Sequence, residues 1–159
     1  MRRQPVFAGR NLCQNAAMFD LANYLPYLLN RAGARVAQKF TLDIRPQDIG
    51  IQEWRVLAAI AFYGPQRMSA LADLTSIDRT TLSRLVSRME KAALVKRSRA
   101  EDDGREVHIG LTEKGGKATD DIVPLAERYE AIALDGFSAG ESEQFKAMLK
   151  RVFANFEKL

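Results

Sequence analysis

The sequence predicts a mainly α-helical chain that carries one short β-hairpin, which makes it an α+β fold. Apolar residues recur at helical spacing over most of the 159 residues. After Leu94 the period changes to two, because apolar and polar residues alternate in LVKRSR and again in REVHIGL. Glycine, proline and small polar residues separate these segments. The order that follows is four helices, a hairpin and two further helices.

The N-terminal third contains an arm, a helix and a loop. Residues 1–15 lack apolar periodicity and are predicted to form a flexible basic arm. A helix is predicted over residues 19–40, with Pro26 either bending it or marking its effective start. Residues 41–50 are predicted to form a loop, because Arg45 precedes a proline and is therefore biased away from helix.

Two helices of different length are predicted next. The first covers residues 51–63 and is stopped by Gly64-Pro65. The second is short, has Ser69 as its predicted N-cap, runs to Leu74 and is predicted to pack through Leu71 and Leu74. A tight break at Thr75-Ser76 then separates this short helix from the element that follows.

The fourth helix has strong start signals. Asp78 is a suitable N-cap for a helix that continues to about Ala92. Ile77 and Leu82 flank that cap at the spacing of a hydrophobic staple. A short helix, a tight break, a second helix and a hairpin form the order of a winged helix-turn-helix.

The C-terminal part is predicted to return to helix after the hairpin. Thr112 opens a long helix that Pro124 bends or interrupts and Gly136 ends. The last helix starts at Ser138 or at Glu141 and carries six regularly spaced apolar residues.

Composition excludes several classes of protein. Every apolar run is interrupted well before the roughly 18 residues that a membrane span needs, and the basic N-terminus has no signal-peptide core. Cys13 is the single cysteine, so an intramolecular disulfide is excluded and a cytoplasmic location is expected. One histidine, His108, and one cysteine exclude the common zinc spacings, and the sequence offers no convincing Ser-His-Asp set. We therefore expect no metal, no cofactor and no catalytic activity.

Positive charge is concentrated in one segment. The net charge is +4, yet residues 76–99 contain seven basic and two acidic residues, whereas residues 112–159 contain seven basic and nine acidic ones. A local excess of this kind is the pattern that binding to phosphate groups produces.

The predicted fourth helix divides into an apolar and a polar face. Leu82, Leu85, Val86 and Met89 fall on the apolar face. Small hydroxyls and guanidinium groups make up the other face: Arg79, Thr80, Ser83, Arg84, Ser87 and Arg88. A helix whose polar face only meets water more often carries Glu and Lys in i, i+4 pairs. The composition of this face therefore favours contact with double-stranded DNA, where hydroxyls allow close approach and arginine pairs with phosphate or guanine.

The hairpin offers a second basic surface. Arg97 and Arg99 lie on its first strand, and Asp103 and Arg105 lie at its predicted tip. An arginine at such a tip reaches an adjacent minor groove, with Asp103 orienting it. By spacing alone, the alternative that residues 101–104 form a solvated turn explains the tip equally well.

These segments resemble the MarR family of transcriptional regulators. The resemblance rests on IQEWRVLAAI, on LADLTSIDRTTLSRLVSRMEKAAL and on VKRSRAEDDGREVHIGLTEKG, and it covers about residues 20–157. The wing signature of that family, Asp-x-Arg followed by a strand and Leu-Thr-x-x-Gly, matches five positions: Asp103, Arg105, Leu111, Thr112 and Gly115.

The resemblance implies a homodimer that binds a pseudo-palindromic operator, usually as a repressor. It implies a helical dimerisation region at 16–50 and 112–159 around a DNA-binding lobe at 51–111, with Phe19–Leu29 and the last helix in the dimer contact. It assigns base contacts to Arg79, Thr80, Ser83 and Arg84. It assigns phosphate contacts to Ser69, Ser87 and Arg88, and the wing tip to Asp103 and Arg105.

Many members of the family respond to a small molecule bound between the dimer helices and the lobe. The matching positions here are Tyr24, Tyr27, Arg31, Arg35, Trp54 and Tyr63. Aromatic rings with a few cations suit an aromatic carboxylate or an acyl thioester, although aromatic residues at helical spacing more often belong to an ordinary core. Cys13 lies upstream of the position at which some relatives carry an oxidant-sensing cysteine. The alternative function is a winged-helix module that binds a protein and has no specific DNA target.

Overall fold

The computed structural model of the chain describes residues 19–99 and 106–156. The predicted arm, including Cys13, lies outside the described residues. The chain divides into two units, residues 1–34 and residues 35–159.

The described part of the first unit is short and helical. A single 3-10 turn, Leu21–Asn23, begins after Asp20, whose side chain accepts a hydrogen bond from the Asn23 amide at 3.3 Å. Helix α1, Leu25–Ile44, follows and continues into the second unit. Pro26 is its second residue, so the proline marks the start of the helix, where a missing amide hydrogen costs nothing.

Helix α1 extends four residues beyond its predicted end at Phe40. The loop prediction for residues 41–50 is wrong for its first four residues, because Phe40 and Ile44 are both buried at i, i+4 spacing and hold the last turn on the core. The 3-10 turn Arg45–Gln47, which contains Pro46, ends the helix. Asp48 follows with a φ of 56° and turns the chain towards the next helix.

Helix α2, Ile51–Tyr63, has the predicted bounds, and Gly64 with a φ of 76° ends it. A two-residue strand, β1, Gln66–Arg67, then pairs with a later strand, and helix α3, Met68–Thr75, follows without a gap. The prediction that Ser69 caps α3 is therefore wrong. The N-cap position is Arg67, which makes no side-chain cap, and Ser69 lies inside the first turn. Leu74, predicted to pack, is also exposed.

Helix α4, Arg79–Lys91, and the hairpin agree with the prediction. Ser76 adopts the left-handed conformation that separates α3 from α4, and Asp78 is the N-cap of α4. Strand β2, Val95–Arg99, pairs antiparallel with strand β3, Val107–Leu111. Strand β1 pairs with the other edge of β3, which gives the strand order β1-β3-β2 and a third strand that the sequence does not predict.

The two C-terminal helices are α5, Glu113–Ala133, and α6, Ala139–Phe156. Pro124 lies inside α5 without interrupting it, and Gly136 turns the chain with a φ of 83°. Ser138 and Glu141 bond each other at the start of α6: Glu141 Oε2 accepts from the Ser138 amide at 2.8 Å, which lowers the pKa of the Glu141 carboxyl. Within the described part of the chain, no helix combines the length and the hydrophobicity of a membrane span.

The core lies in the second unit. It contains Val56, Leu57 and Ile60 of α2, with Ile109 of β3 and Ile122 of α5. The buried faces of α3 and α4 and the end of α1 join the same cluster. The winged helix-turn-helix elements therefore pack against helices that precede and follow them in the chain.

Candidate DNA-binding surface

Helix α4 is fixed by its N-cap and by its buried face. Asp78 Oδ1 accepts a hydrogen bond from the Thr81 amide at 2.9 Å. The bonds from the Thr81 side chain and backbone, together with the nearby charge of Arg84, lower the pKa of the Asp78 carboxyl. The four residues of the predicted inner face, Leu82, Leu85, Val86 and Met89, are all buried. The helix can therefore present only its opposite face to a partner.

That opposite face carries the residue types that the sequence indicates. Arg79, Thr80, Ser83, Arg84 and Arg88 are exposed, and Ser87 is half-buried. A shallow depression of about 280 Å³ lies on this face, and it is lined by Ser83, Arg84, Ser87, Arg88 and Lys91. Three cations and two hydroxyls in one open depression form a suitable environment for phosphate oxygens.

Lys91 was not among the predicted site residues, although the sequence contains a signal for it. It follows Ser83 and Ser87 at successive intervals of four, which places all three on one side of the helix. Extending the polar face by one more turn would have included it.

Arg97 of strand β2 is directed towards α4. Its Nη2 lies 3.4 Å from Ser87 Oγ, and its Nε lies 3.5 Å from Glu90 Oε2. Ser87 Oγ in turn donates to the Ser83 carbonyl at 2.9 Å. Arg97 therefore ties the hairpin to α4. Arg97 and Arg99, two residues further on the strand, are both exposed.

Arg88 is held by an acidic residue of α2. Its Nε donates to Glu53 Oε1 at 3.1 Å, and Glu53 Oε2 accepts from the Gly50 amide at 2.7 Å. The Glu53 side chain is only 15% exposed, whereas that of Arg88 is 69% exposed. Glu53 and Arg88 both line a groove of about 560 Å³ between α4 and the 41–50 segment. Sequence reasoning missed this pair, because the two residues are 35 positions apart.

The junction between the hairpin and α5 fixes the base of the wing. The Thr112 hydroxyl donates to the Ala93 carbonyl at 2.5 Å and accepts from the Gly115 amide at 3.0 Å. Lys114 Nζ donates to the Ala92 carbonyl at 2.9 Å. The free carbonyls at the end of α4 are therefore bonded by the first residues of α5.

The other predicted DNA contacts and His108 lie as follows. Ser69 is exposed in the first turn of α3. Asp103 and Arg105, the predicted wing tip, lie outside the described residues. His108 lies on β3, with its Nε2 3.4 Å from Glu106 Oε2, and Glu106 also accepts from Arg67 at 2.9 Å. No group of three potential metal ligands occurs within residues 19–99 and 106–156.

The six predicted effector residues are divided between the two units. In the first unit, the Arg31 guanidinium lies 5.4 Å from the Tyr27 ring centre, and Tyr24 packs edge-on against Phe19. In the second unit, Trp54 packs on Phe40 with ring centres 5.8 Å apart.

The remaining members of that set are exposed. Arg35 is exposed on α1, and Tyr63 is 57% exposed and packs against Phe62. Trp54 belongs to a partly buried aromatic cluster in which Phe40 also meets the Tyr129 ring, at 5.5 Å. Tyr129 donates to Asp43 Oδ2 at 2.8 Å, and this bond raises the pKa of the tyrosine.

Comparison with known proteins identifies relatives of one kind. A sequence model of the MarR family matches residues 47–106. The HTH-type transcriptional regulator PecS of Dickeya dadantii is 32% identical over 125 residues, which are 79% of this chain and 73% of the relative. The HTH-type transcriptional repressor NicR of Pseudomonas putida is 24% identical over 87% of this chain and 88% of the relative.

Solved structures show the same fold. That of BpsR from Bordetella bronchiseptica superimposes with a TM-score of 0.70 and 24% identity, over 80% of this chain and 96% of BpsR. The relatives found are transcriptional regulators, not enzymes. The chain belongs to the MarR family of winged-helix transcriptional regulators.

Proposed function

We propose that this regulator is a repressor that binds a pseudo-palindromic operator as a homodimer. The observation that carries the proposal is the outer face of α4, where arginine and small hydroxyl side chains are exposed while the opposite face is fully buried. In a winged helix-turn-helix, this helix enters the major groove and directs its N-terminal residues to base edges.

Position along α4 gives each residue its proposed role. Arg79, Thr80, Ser83 and Arg84 occupy the N-terminal half and are assigned to base edges, where arginine pairs bidentately with guanine. Ser87, Arg88 and Lys91 in the C-terminal half, with Ser69 on α3, are assigned to phosphate. Arg99 extends the basic surface on the wing, and Arg97, on the same strand, supports it through its contacts with Ser87 and Glu90 of α4. Asp103 and Arg105 remain the predicted minor-groove contact.

The proposed dimer contact uses the terminal helices, within residues 16–50 and 112–159. Phe153 and Phe156 of α6 are 58% and 69% exposed, and Phe19 in the first unit is 67% exposed. These large exposed apolar side chains support the proposed contact, because contiguous apolar surface is typical of interfaces. A two-fold dimer would place two α4 helices on half-sites about one helical turn apart.

Repression and its release by a ligand are proposed from the relatives. NicR is named as a repressor, and 6-hydroxynicotinic acid regulates DNA binding by BpsR. A small aromatic or acyl-type ligand is accordingly the proposed effector here, with Tyr24, Tyr27, Arg31, Arg35, Trp54 and Tyr63 as its proposed contacts. A cytoplasmic location follows from a role on chromosomal DNA.

The test is selection of bound fragments from the genome that encodes the protein, followed by affinity measurements at two salt concentrations. Enrichment of a pseudo-palindrome, with affinity that falls steeply as salt rises, is the expected result. Weak binding that ignores sequence would overturn the proposal and would favour the protein-interaction alternative.

Arg84→Ala separates base contacts from phosphate contacts within the same assay. A lost bidentate contact to a base is worth about 1–3 kcal/mol and should reduce the preference for the operator over unrelated DNA. Lys117→Ala, which removes an exposed lysine of α5, serves as the charge-matched control and should leave that preference unchanged. An equal loss on all DNA would make Arg84 a phosphate contact.

A further inference from the structure

Arg88 approaches the proposed phosphate surface with one of its donors already engaged. Its Nε donates to Glu53 Oε1 at 3.1 Å. A guanidinium group has five N–H donors in a rigid plane, so this bond leaves the four donors of the two terminal nitrogens free for a phosphate. This bond restrains the plane of the group in the free protein.

Glu53 is itself held from the opposite side. Its second oxygen accepts the Gly50 amide at 2.7 Å, which belongs to the N-terminal cap of α2. The side chain is 15% exposed, so little water competes for it. The carboxylate therefore connects the backbone at the start of α2 with a guanidinium on α4.

We propose that Glu53 is a positioning residue for DNA binding, which orients the Arg88 guanidinium without contacting the DNA. This inference rests on the proposed function. A carboxylate near DNA repels phosphate through its charge alone. The charge effect and the positioning effect of Glu53 therefore have opposite signs, and the sign is measurable.

The experiment measures affinity for the operator duplex recovered by genomic selection, using fluorescence anisotropy across a range of salt concentrations. Glu53→Gln removes the charge, and its single carbonyl oxygen can accept from only one of the two former partners. We expect this variant to bind about 3–10-fold more weakly, because a charge-assisted bond that fixes Arg88 is lost. Asp73→Asn, which removes an exposed acid of α3, is the charge-matched control and should bind equally or more tightly.

A double-mutant cycle tests whether Glu53 affects DNA affinity through Arg88. In the Arg88→Ala background, Glu53→Gln should no longer weaken binding, because there is no guanidinium left to orient. Equal weakening in both backgrounds would mean that Glu53 acts through the fold of α2, and it would overturn the inference. Thermal unfolding of each variant separates a loss of stability from a loss of affinity.

A measurement on the wild-type protein covers the case in which Glu53→Gln fails to fold. The NMR signal of Arg88 Nε–H should be protected from exchange in the free protein and should remain so in the operator complex. Loss of protection on binding would overturn the inference.

If the wild type binds the operator and Glu53→Gln matches Asp73→Asn, the inference alone fails. If the wild type shows no salt-dependent operator binding, the proposed function fails with it.

Discussion

Gly115 occupies a position at which any side chain would meet the backbone of the turn between α4 and β2. An added Cβ would lie 1.9 Å from the Leu94 carbonyl oxygen and 2.9 Å from its carbon. The same turn holds Thr112, which accepts the Gly115 amide and donates to Ala93. The spacing Leu-Thr-x-x-Gly thus has a physical reason: the threonine caps α5 and bonds the end of α4, and the glycine admits the close approach.

Gly115→Ala should destabilise the protein by about 2 kcal/mol or more, because the clash is with backbone that cannot rotate away. Gly116→Ala is the matched control. It lies in the same turn of α5 with no atom within 4 Å of its added Cβ, so it should be neutral or stabilising by up to about 1 kcal/mol. Urea unfolding of both variants measures the difference. Similar losses for the two would show that helix geometry, and not the close approach to Leu94, sets the requirement for glycine.

At the scale of elements, local signals were predictable and long-range ones were not. The staple at Ile77 and Leu82 and the cap at Asp78 lie within a few residues of each other, and they fixed the start of α4. Strand β1 escaped prediction because its two residues become a strand only by pairing with Ile109 and His108. Because β1 ends at Arg67 and α3 begins at Met68, the N-cap position of α3 is Arg67 and not Ser69.

In the candidate surface, too, the positions set by local periodicity could be predicted and the long-range partners could not. Periodicity alone places Arg79, Ser83 and Arg84 on the face opposite the core, and the structure has them exposed there. The partners that restrain Arg88 and Arg97, which are Glu53 and Glu90, could not be read from the sequence. The Arg88 pair joins positions far apart in the chain, and the Arg97 pair depends on how the hairpin lies against α4.

The Asp78 cap should make the stability of α4 sensitive to acid. Because the folded pKa of this carboxyl is lowered, its contribution is fully present above the ordinary value of 3.8 and is lost as the pH falls through the folded pKa. Asp78→Asn retains the shape and does not titrate. The Tm difference between wild type and Asp78→Asn, measured by circular dichroism, should favour the wild type at pH 6 and shrink below about pH 4. A difference that stays constant over this range would exclude a charge contribution from the cap.

At the scale of the whole molecule, the winged lobe contributes to a buried core, whereas the apolar residues of the last helix, α6, are not buried. The apolar residues of α6 recur at helical spacing, yet none of its described residues is fully buried. Phe145, Met148, Phe153 and Phe156 are 42%, 47%, 58% and 69% exposed. The exposed apolar face of α6 therefore supports the proposed dimer contact, which would bury it.

Phe156→Glu tests whether that face forms the proposed homodimer. In a two-fold interface each substitution is present twice, so the change would desolvate two carboxylates and raise the dimer dissociation constant at least about tenfold, or about 1.4 kcal/mol. Operator affinity should fall with it, because separated half-site lobes lose the gain from joint binding. Ala147→Glu adds the same charge nine residues earlier, two and a half helical turns away and on the opposite, exposed side of α6, so it should leave the dimer intact. Sedimentation equilibrium gives the association state of each protein. A wild type that is monomeric at micromolar concentration, or a Phe156→Glu dimer as stable as that of Ala147→Glu, would remove α6 from the interface.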